Sequence, residues 1–569
     1  MQNKNFIDHG FIHNDRIKVN HEVELSNLNE GINQFNEFVV LKKQNNYKVF
    51  NRNCDHAGGR LIKSQDSSNL YCPVHNWVFN PEKGRYSNGV IKEEIKFDIM
   101  NNKLVFSLDK LKPKIKTIRE ESEGKISIKY FNHAFLIVEG NNFKFATDPW
   151  AIGPAFNNGW WLNEKTEEDW LKEVNSCDFI YISHNHPDHL NHHTLKKISK
   201  NKTIIIPKFQ DDSIGGMLKK LKFKNLTYLE INRQFQLKNS NLMICVLKSG
   251  DFRLDSGIYF SIGEFSSLID VDANAINFFR LPEVTLYATS YKGGASGYPL
   301  MFDNFRINEK RKIIKKKNNF LKNVKIKNVL KLKAKYFLPY ASAFSENLQR
   351  DKFIKNNNKK IEIDDYSKIL KKKNVEILDT NNFKQFNFEN QKLISKRAKS
   401  NKFYADKKPL EYLKEFKSSN SKIQINKIKK YFINSNFQDN LILNISLTND
   451  NFLKNYDKFS INFNFKKPLF SNKHVHKFES KNEKKIRFLN LKIRKETFVY
   501  TIKNKMPWED ILIGFQCRVS RKPNIFNSNF WYHFSNIYIN SSQKKSISEC
   551  NRCELFTQKV DSLIYHSSQ

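Results

Sequence analysis

No stretch of this 569-residue chain approaches the roughly 18 to 20 consecutive apolar residues that a membrane-crossing helix requires. The opening MQNKNFIDHGFIHND lacks the apolar core of a secretory signal, so no membrane span and a cytoplasmic location are expected. Cysteine is scarce. Seven residues, an odd number, cannot staple a protein of this size, which fits a reducing compartment. Acidic residues are outnumbered 58 to 97 by Lys and Arg, a formal charge of +39. Such a surplus raises nucleic acid or a membrane surface as partners. Here it is spread along the whole sequence and travels with Asn, Ile and Phe. It therefore reads as background composition, the alternative being attraction of an acidic substrate or redox partner, and no nucleic-acid partner is expected. Histidine is absent between His193 and His474, a gap that bears on function.

With 39% hydrophobic and 13% aromatic residues, the chain can bury cores for about three domains of ordinary size. Short alternating segments such as FVVLKK and YKVFNR, broken by Asn, Gly and Pro turns, predict a small all-β domain over residues 1–115. From KISIKYFNHAFLIVEG onward, strands alternate with helical segments such as EEDWLKEV and GGMLKKLK, which predicts a layered α/β domain over 120–347. The Lys run in KRKIIKKKNNFLKNV reads as a solvated helix face. The Asn- and Lys-rich stretch 348–400 reads as a loose connector. Period-two segments such as NLILNISLT and KIRFLNLKI then predict an α+β domain over 401–569.

Two constellations carry chemistry. Cys54-x-His56 is followed, after fifteen residues, by Cys72-x-x-His75. Two thiolates and two imidazoles in two short loops are the set that a Rieske-type 2Fe-2S cluster needs, thiolates on one iron and imidazoles on the other. Zinc also accepts two Cys and two His, but Cys-x-His paired with Cys-x-x-His across β-loops is a rare zinc spacing. CDHAGGRL, CPVHNWVFN and KGRYSNG resemble the loops and turn of Rieske ferredoxins and oxygenases. Respiratory Rieske proteins carry extra cysteines where this chain has Gly59 and Val74, so the resemblance implies the oxygenase or ferredoxin kind, in which the cluster passes single electrons onward.

The second is His184-x-His186-x-Asp188-His189, just after the apolar strand DFIYIS, with Asp148 at the tip of the preceding strand FATDPW. Three imidazoles and a carboxylate within six residues suit one or two divalent ions. The motif in this context resembles the metallo-β-lactamase fold, an αββα sandwich with metals at one edge of its paired sheets. Hydrolases of that fold draw two further histidines from later loops, which this chain lacks. Asp272, neighboured by Asp270, is the candidate later carboxylate, and Asp251, Asp255, Glu264 or His133 are candidate replacement ligands. Losing two imidazoles weakens a dizinc hydrolytic site. A mixed His and carboxylate set with open positions is closer to what non-haem iron uses.

The two domains in this order, together with TDPWAIGPAFNNGWWL, SHNHPDHL, GGASGYP, YFLPYASAF and MPWEDILIGFQCRVSRKPNIFNSNFWYHF, resemble the CMP-N-acetylneuraminate hydroxylase family from about residue 35 to 540. The resemblance implies an iron-dependent monooxygenase that converts the N-acetyl group of a CMP-activated sialic acid to N-glycolyl with O2. Electrons would come from a b-type cytochrome, or from a ferredoxin with its reductase. Cys54, His56, Cys72 and His75 would hold the cluster. His184, His186, Asp188 and His189, with Asp272, would hold a second, catalytic non-haem iron. The competing expectation is a hydrolase, a phosphodiesterase or lactonase, with a redox-sensing cluster. Further expectations are a phosphate cradle at Gly293–Gly297, substrate contacts at Trp160, Trp161, Trp508, Trp531 and His533, and a redox or zinc pair at Cys550 and Cys553.

Overall fold

The structure is a computed structural model that describes residues 5–537, apart from 36, 53–60, 64–67, 72–77, 88, 115–123, 210–211, 250–253, 274–275, 277–281, 342 and 477–485. Two eight-stranded sheets form its centre. One runs from Asn225–Leu229 through Thr203–Pro207, Phe179–Tyr181, Phe143–Thr147, Phe135–Gly140 and Lys125–Asn132 to Phe383–Glu389 and Lys392–Ala398. The other holds Arg233–Leu237, Met243–Lys248, Ser256–Ile262, Phe265–Val271, Leu286–Thr289, Tyr336–Pro339 and Glu376–Ile377. Ile128, Val138, Phe145, Phe260, Ile269 and Phe386 interlock between the sheets. Helices Trp170–Ser176, His192–Lys197 and Ser213–Lys220 cover one outer face, and Ile307–Lys331 and Asp364–Leu370 cover the other. This is the expected αββα sandwich.

The N-terminal β domain consists of three small sheets, cored by Val39, Phe50, Leu70 and Phe79 and by Val40, Val49, Leu104 and Phe106. It hangs on a ladder of two twelve-residue strands, His13–Glu24 and Lys103–Lys114. Ahead of that ladder, Phe6–Phe11 pairs with Arg233–Leu237 in the sandwich. The C-terminal domain is a five-stranded sheet with Leu441–Thr448 at its centre, packed by helices Ile425–Asn434, Lys495–Asn504 and Ser528–Ser535, as the α+β expectation has it.

Two features differ from the reading of the sequence. Stretch 348–400, read as a loose connector, supplies two strands to one large sheet and one to the other. The alternation is present in FKQFNFE, where residues 384, 386 and 388 are buried, but a lysine holds one inward position. The Lys-rich helix Ile307–Lys331 is not solvated throughout, because Lys325 is buried with Nζ donating to Thr289 Oγ1 at 2.6 Å. Phe386 is fully buried between the sheets. Phe386→Ala is expected to lower the unfolding free energy by about 3 to 5 kcal/mol, read from denaturant midpoints, whereas a connector residue would change it by less than about 0.5.

Candidate metal centre

The parallel pairing of Phe145 with Phe179 and Thr147 with Tyr181 brings two strand ends side by side. Asp148 ends one strand, and Ser183 opens the loop that follows the other. Asp148 Oδ1 accepts from the Ser183 N–H at 2.7 Å, and Oδ2 accepts from Ser183 Oγ at 2.6 Å. The loop is thus clamped at its root. Four non-glycine residues at strand ends here, His133, Asp148, Val271 and Ala341, have φ between 36° and 54°. A β-branched valine in that region is costly, and such strain gathers where a site dictates the backbone.

Three histidines of the loop turn one ring nitrogen outward to an oxygen and the other inward. His184 Nδ1 meets Ser183 Oγ at 2.9 Å, His189 Nδ1 meets Asp148 Oδ2 at 3.0 Å, and His186 Nε2 faces Glu509 Oε1 at 3.6 Å. Inward, His184 Nε2 lies 2.9 Å from His186 Nδ1. His189 Nε2 lies 3.4 Å from Asp188 Oδ2 and 3.5 Å from Asp272 Oδ2, and His133 Nε2 lies 3.0 Å from Asp188 Oδ2. Donors bound at about 2.1 Å to a common ion stand roughly 3.0 to 3.4 Å apart, so these spacings fit ligand shells. Two groups have ligand atoms within 4.8 Å of one another: His133, Asp188 and His189, and His184, His189 and Asp272. Among the described residues, buried His189 Nε2 and Asp188 Oδ1 have no hydrogen-bond partner, which fits atoms that would bind a cation.

The electrostatics agree. Among the described residues, no Lys or Arg pairs with Asp148, Asp188 or Asp272; the ion-pair partners they have are imidazoles. Burial, then the charge of His189, lowers the His184 pKa to about 4, leaving its Nε2 lone pair free at neutral pH. Burial would raise Asp188, but the rings of His189 and His133 hold it well below the usual carboxylate range. Burial would lower His186, yet Glu509 lifts it to about 9. Trp150, Trp160 and Phe156 wall the centre, with ring centroids 5.0 and 6.4 Å from His133 and 5.8 Å from His186 respectively.

Of the proposed replacement ligands, His133 joins the cluster. Asp255 is buried with its charge acting on His184 and His186, and Glu264 lies at the far end of strand Phe265–Val271, bonded to Gln391. Asp270 is buried against Tyr287 Oη and is not in either ligand group. Asp251 falls outside the described residues. Glu509 was missed, since one Glu more than 300 residues beyond the motif gives no spacing signal. Trp508 and Trp531 are core residues, Trp508 donating to Tyr431 Oη at 2.8 Å, and Trp160 stacks on Phe344 at 3.5 Å between centroids.

Cys54, His56, Cys72 and His75 lie outside the described residues, as do Cys550 and Cys553. The flanking strands are described. Ile62 pairs with Tyr71, which in turn pairs with Val78.

A Rieske [2Fe-2S] domain model matches residues 16–96, and a Beta-lactamase superfamily domain model matches residues 127–254. The chain joins a Rieske domain to a β-lactamase superfamily domain. Cytidine monophosphate-N-acetylneuraminic acid hydroxylase of Cricetulus griseus is 29% identical over 556 residues, covering 90% of this chain and 96% of the relative. The protein of that name from Danio rerio is 26% identical over 552 residues, covering 90% and 92%. Among solved structures, CmlA, a diiron beta-hydroxylase from Streptomyces venezuelae, is similar at 14% identity and a TM-score of 0.31, over 49% of this chain and 55% of that one. The chain resembles the named hydroxylases along nearly its whole length and carries a Rieske domain.

The Asp148 carboxylate fixes the His189 tautomer without belonging to either ligand group. Asp148→Asn is expected to weaken metal uptake about 10- to 100-fold while leaving Rieske absorption intact, measured by elemental analysis after equilibrium dialysis.

Proposed function

We propose that the protein hydroxylates the N-acetyl methyl group of CMP-N-acetylneuraminate, or of a related CMP-nonulosonate, to N-glycolyl, with electrons entering through the Rieske cluster. The observation that carries this reading is the donor set at the strand ends: three loop histidines, His133, Asp188 and Asp272, in a chain without the later histidines of the fold's hydrolases. Its support in the relatives is their common name and coverage of 90% of the chain.

The substrate group sets the chemistry. A methyl beside an amide carbonyl has no leaving group and is a poor acid, so neither hydrolysis nor base catalysis converts it. Iron at this centre, with O2 and two electrons per turnover, would supply the oxidising power. The chain's own residues then have separate tasks. Cys54, His56, Cys72 and His75 hold the cluster. His184, His186, Asp188, His189 and Asp272, with His133, hold the second metal. Asp148, Ser183 and Glu509 orient the ligating rings from behind. Trp150, Phe156 and Trp160 keep bulk water from the ligands, which limits wasteful use of electrons. The electron donor is a b-type cytochrome or a ferredoxin with its reductase.

Purified protein is expected to hold iron beyond two atoms per chain. After reduction, with O2 and CMP-N-acetylneuraminate, mass spectrometry should show a gain of one oxygen on the acyl group. His189→Ala should abolish that product and the extra iron, with the Rieske spectrum unchanged. Zinc at the second centre, or no oxygenated product from this sugar or related CMP-nonulosonates despite a reducible cluster, would falsify the proposal.

A further inference from the structure

The metal loop belongs to the sandwich, yet one group that orients it does not. Of the three outward ring nitrogens, those of His184 and His189 are held by Ser183 and Asp148 of the same domain. That of His186 faces Glu509, the first residue of helix Glu509–Ile513 in the C-terminal domain. The next residue, Asp510, is 2% exposed, and its Oδ1 has no hydrogen-bond partner among the described residues. Its charged neighbours are His186, Glu509 and Asp188. A buried carboxylate oxygen without a partner is uncommon unless a cation compensates it.

The segment is also fixed in place. A Cβ on Gly159 would overlap the backbone oxygen of Gly514, and one on Gly514 would overlap that of Phe156. Backbone therefore touches backbone across the two domains, a closeness only glycine permits. Trp160 Nε1 donates to Ile513 O at 2.8 Å, and Met301 O accepts from Val519 N at 2.8 Å. Buried Arg494 reaches Asp351 at 2.8 Å across the same boundary.

We propose that the metal centre is a two-domain site, in which Glu509 is the positioning residue whose carboxylate, 3.6 Å from His186 Nε2, favours the ring proton there and so turns Nδ1 toward the ion. This rests on the reading that the His184 loop binds a metal. Loss of such a partner carboxylate costs about 10- to 100-fold in metal affinity. The geometry makes a second claim. The docking of Gly514 on Phe156, and not Glu509 alone, sets the affinity, so a change touching no ligand should reproduce the loss.

The test uses the full chain with its cluster assembled and the second centre emptied by chelator, equilibrated with cobalt(II) and read by elemental analysis. Glu509→Ala is expected to bind cobalt about 10- to 100-fold more weakly than the unaltered protein. Glu509→Gln, whose amide oxygen can still face the His186 Nε2–H, should stay within about threefold. Gly514→Ala should lose as much as Glu509→Ala while Rieske absorption holds; if it does not fold, the Glu509→Ala and Glu509→Gln pair decides. Cobalt binding by Glu509→Ala equal to that of the unaltered protein overturns the inference, as does an equal loss in Glu509→Gln. No cobalt uptake by the unaltered protein would instead overturn the reading of the centre itself, and the inference with it.

Discussion

One buried carboxylate organises the centre. Asp148 accepts two hydrogen bonds from Ser183 and faces the His189 ring, while its own backbone sits at a φ of 36°. Its position is dictated by the parallel pairing of the strands ending at Thr147 and Tyr181. Sheet register is therefore translated directly into ring orientation, and the strain of about 1 to 3 kcal/mol at such a residue is carried by the sandwich around it. Remove that carboxylate and the loop loses both its anchored root and the group that orients its most buried histidine.

Much of this was legible in residues that crowd together. His184 to His189 announce themselves by density after an apolar strand, and the Cys/His pairs by spacing. The 280-residue gap without histidine, 194–473, was equally informative, since it removed the usual later ligands. What answers that gap was harder to read. His133 occupies the tight turn between Lys125–Asn132 and Phe135–Gly140, at a φ of 44°, and an isolated histidine in NHAF carries no pattern. Glu509 reaches the centre only through the docking of two domains.

The connector was misread for a different reason. Strand Phe383–Glu389 keeps its inward period, but Lys384 takes one inward place, its stem buried and its ammonium 4.5 Å from the Tyr130 ring centroid. A lysine that buries its methylenes obeys the apolar pattern while spelling a polar one. In a chain with 97 Lys and Arg, composition-based reading fails at such places.

The strand Phe6–Phe11 has a bearing on how the molecule comes into being. It pairs with Arg233–Leu237, and the other sheet awaits Phe383–Glu389 and Lys392–Ala398 before it is complete. On a ribosome emitting about 5 to 20 residues per second, the first strand must wait for a partner more than 220 residues later. The Rieske domain lies within that interval, bounded by its own ladder, and can fold while the sandwich is still being made. Cluster assembly can thus precede the closure of the sheets on which the second metal centre is built.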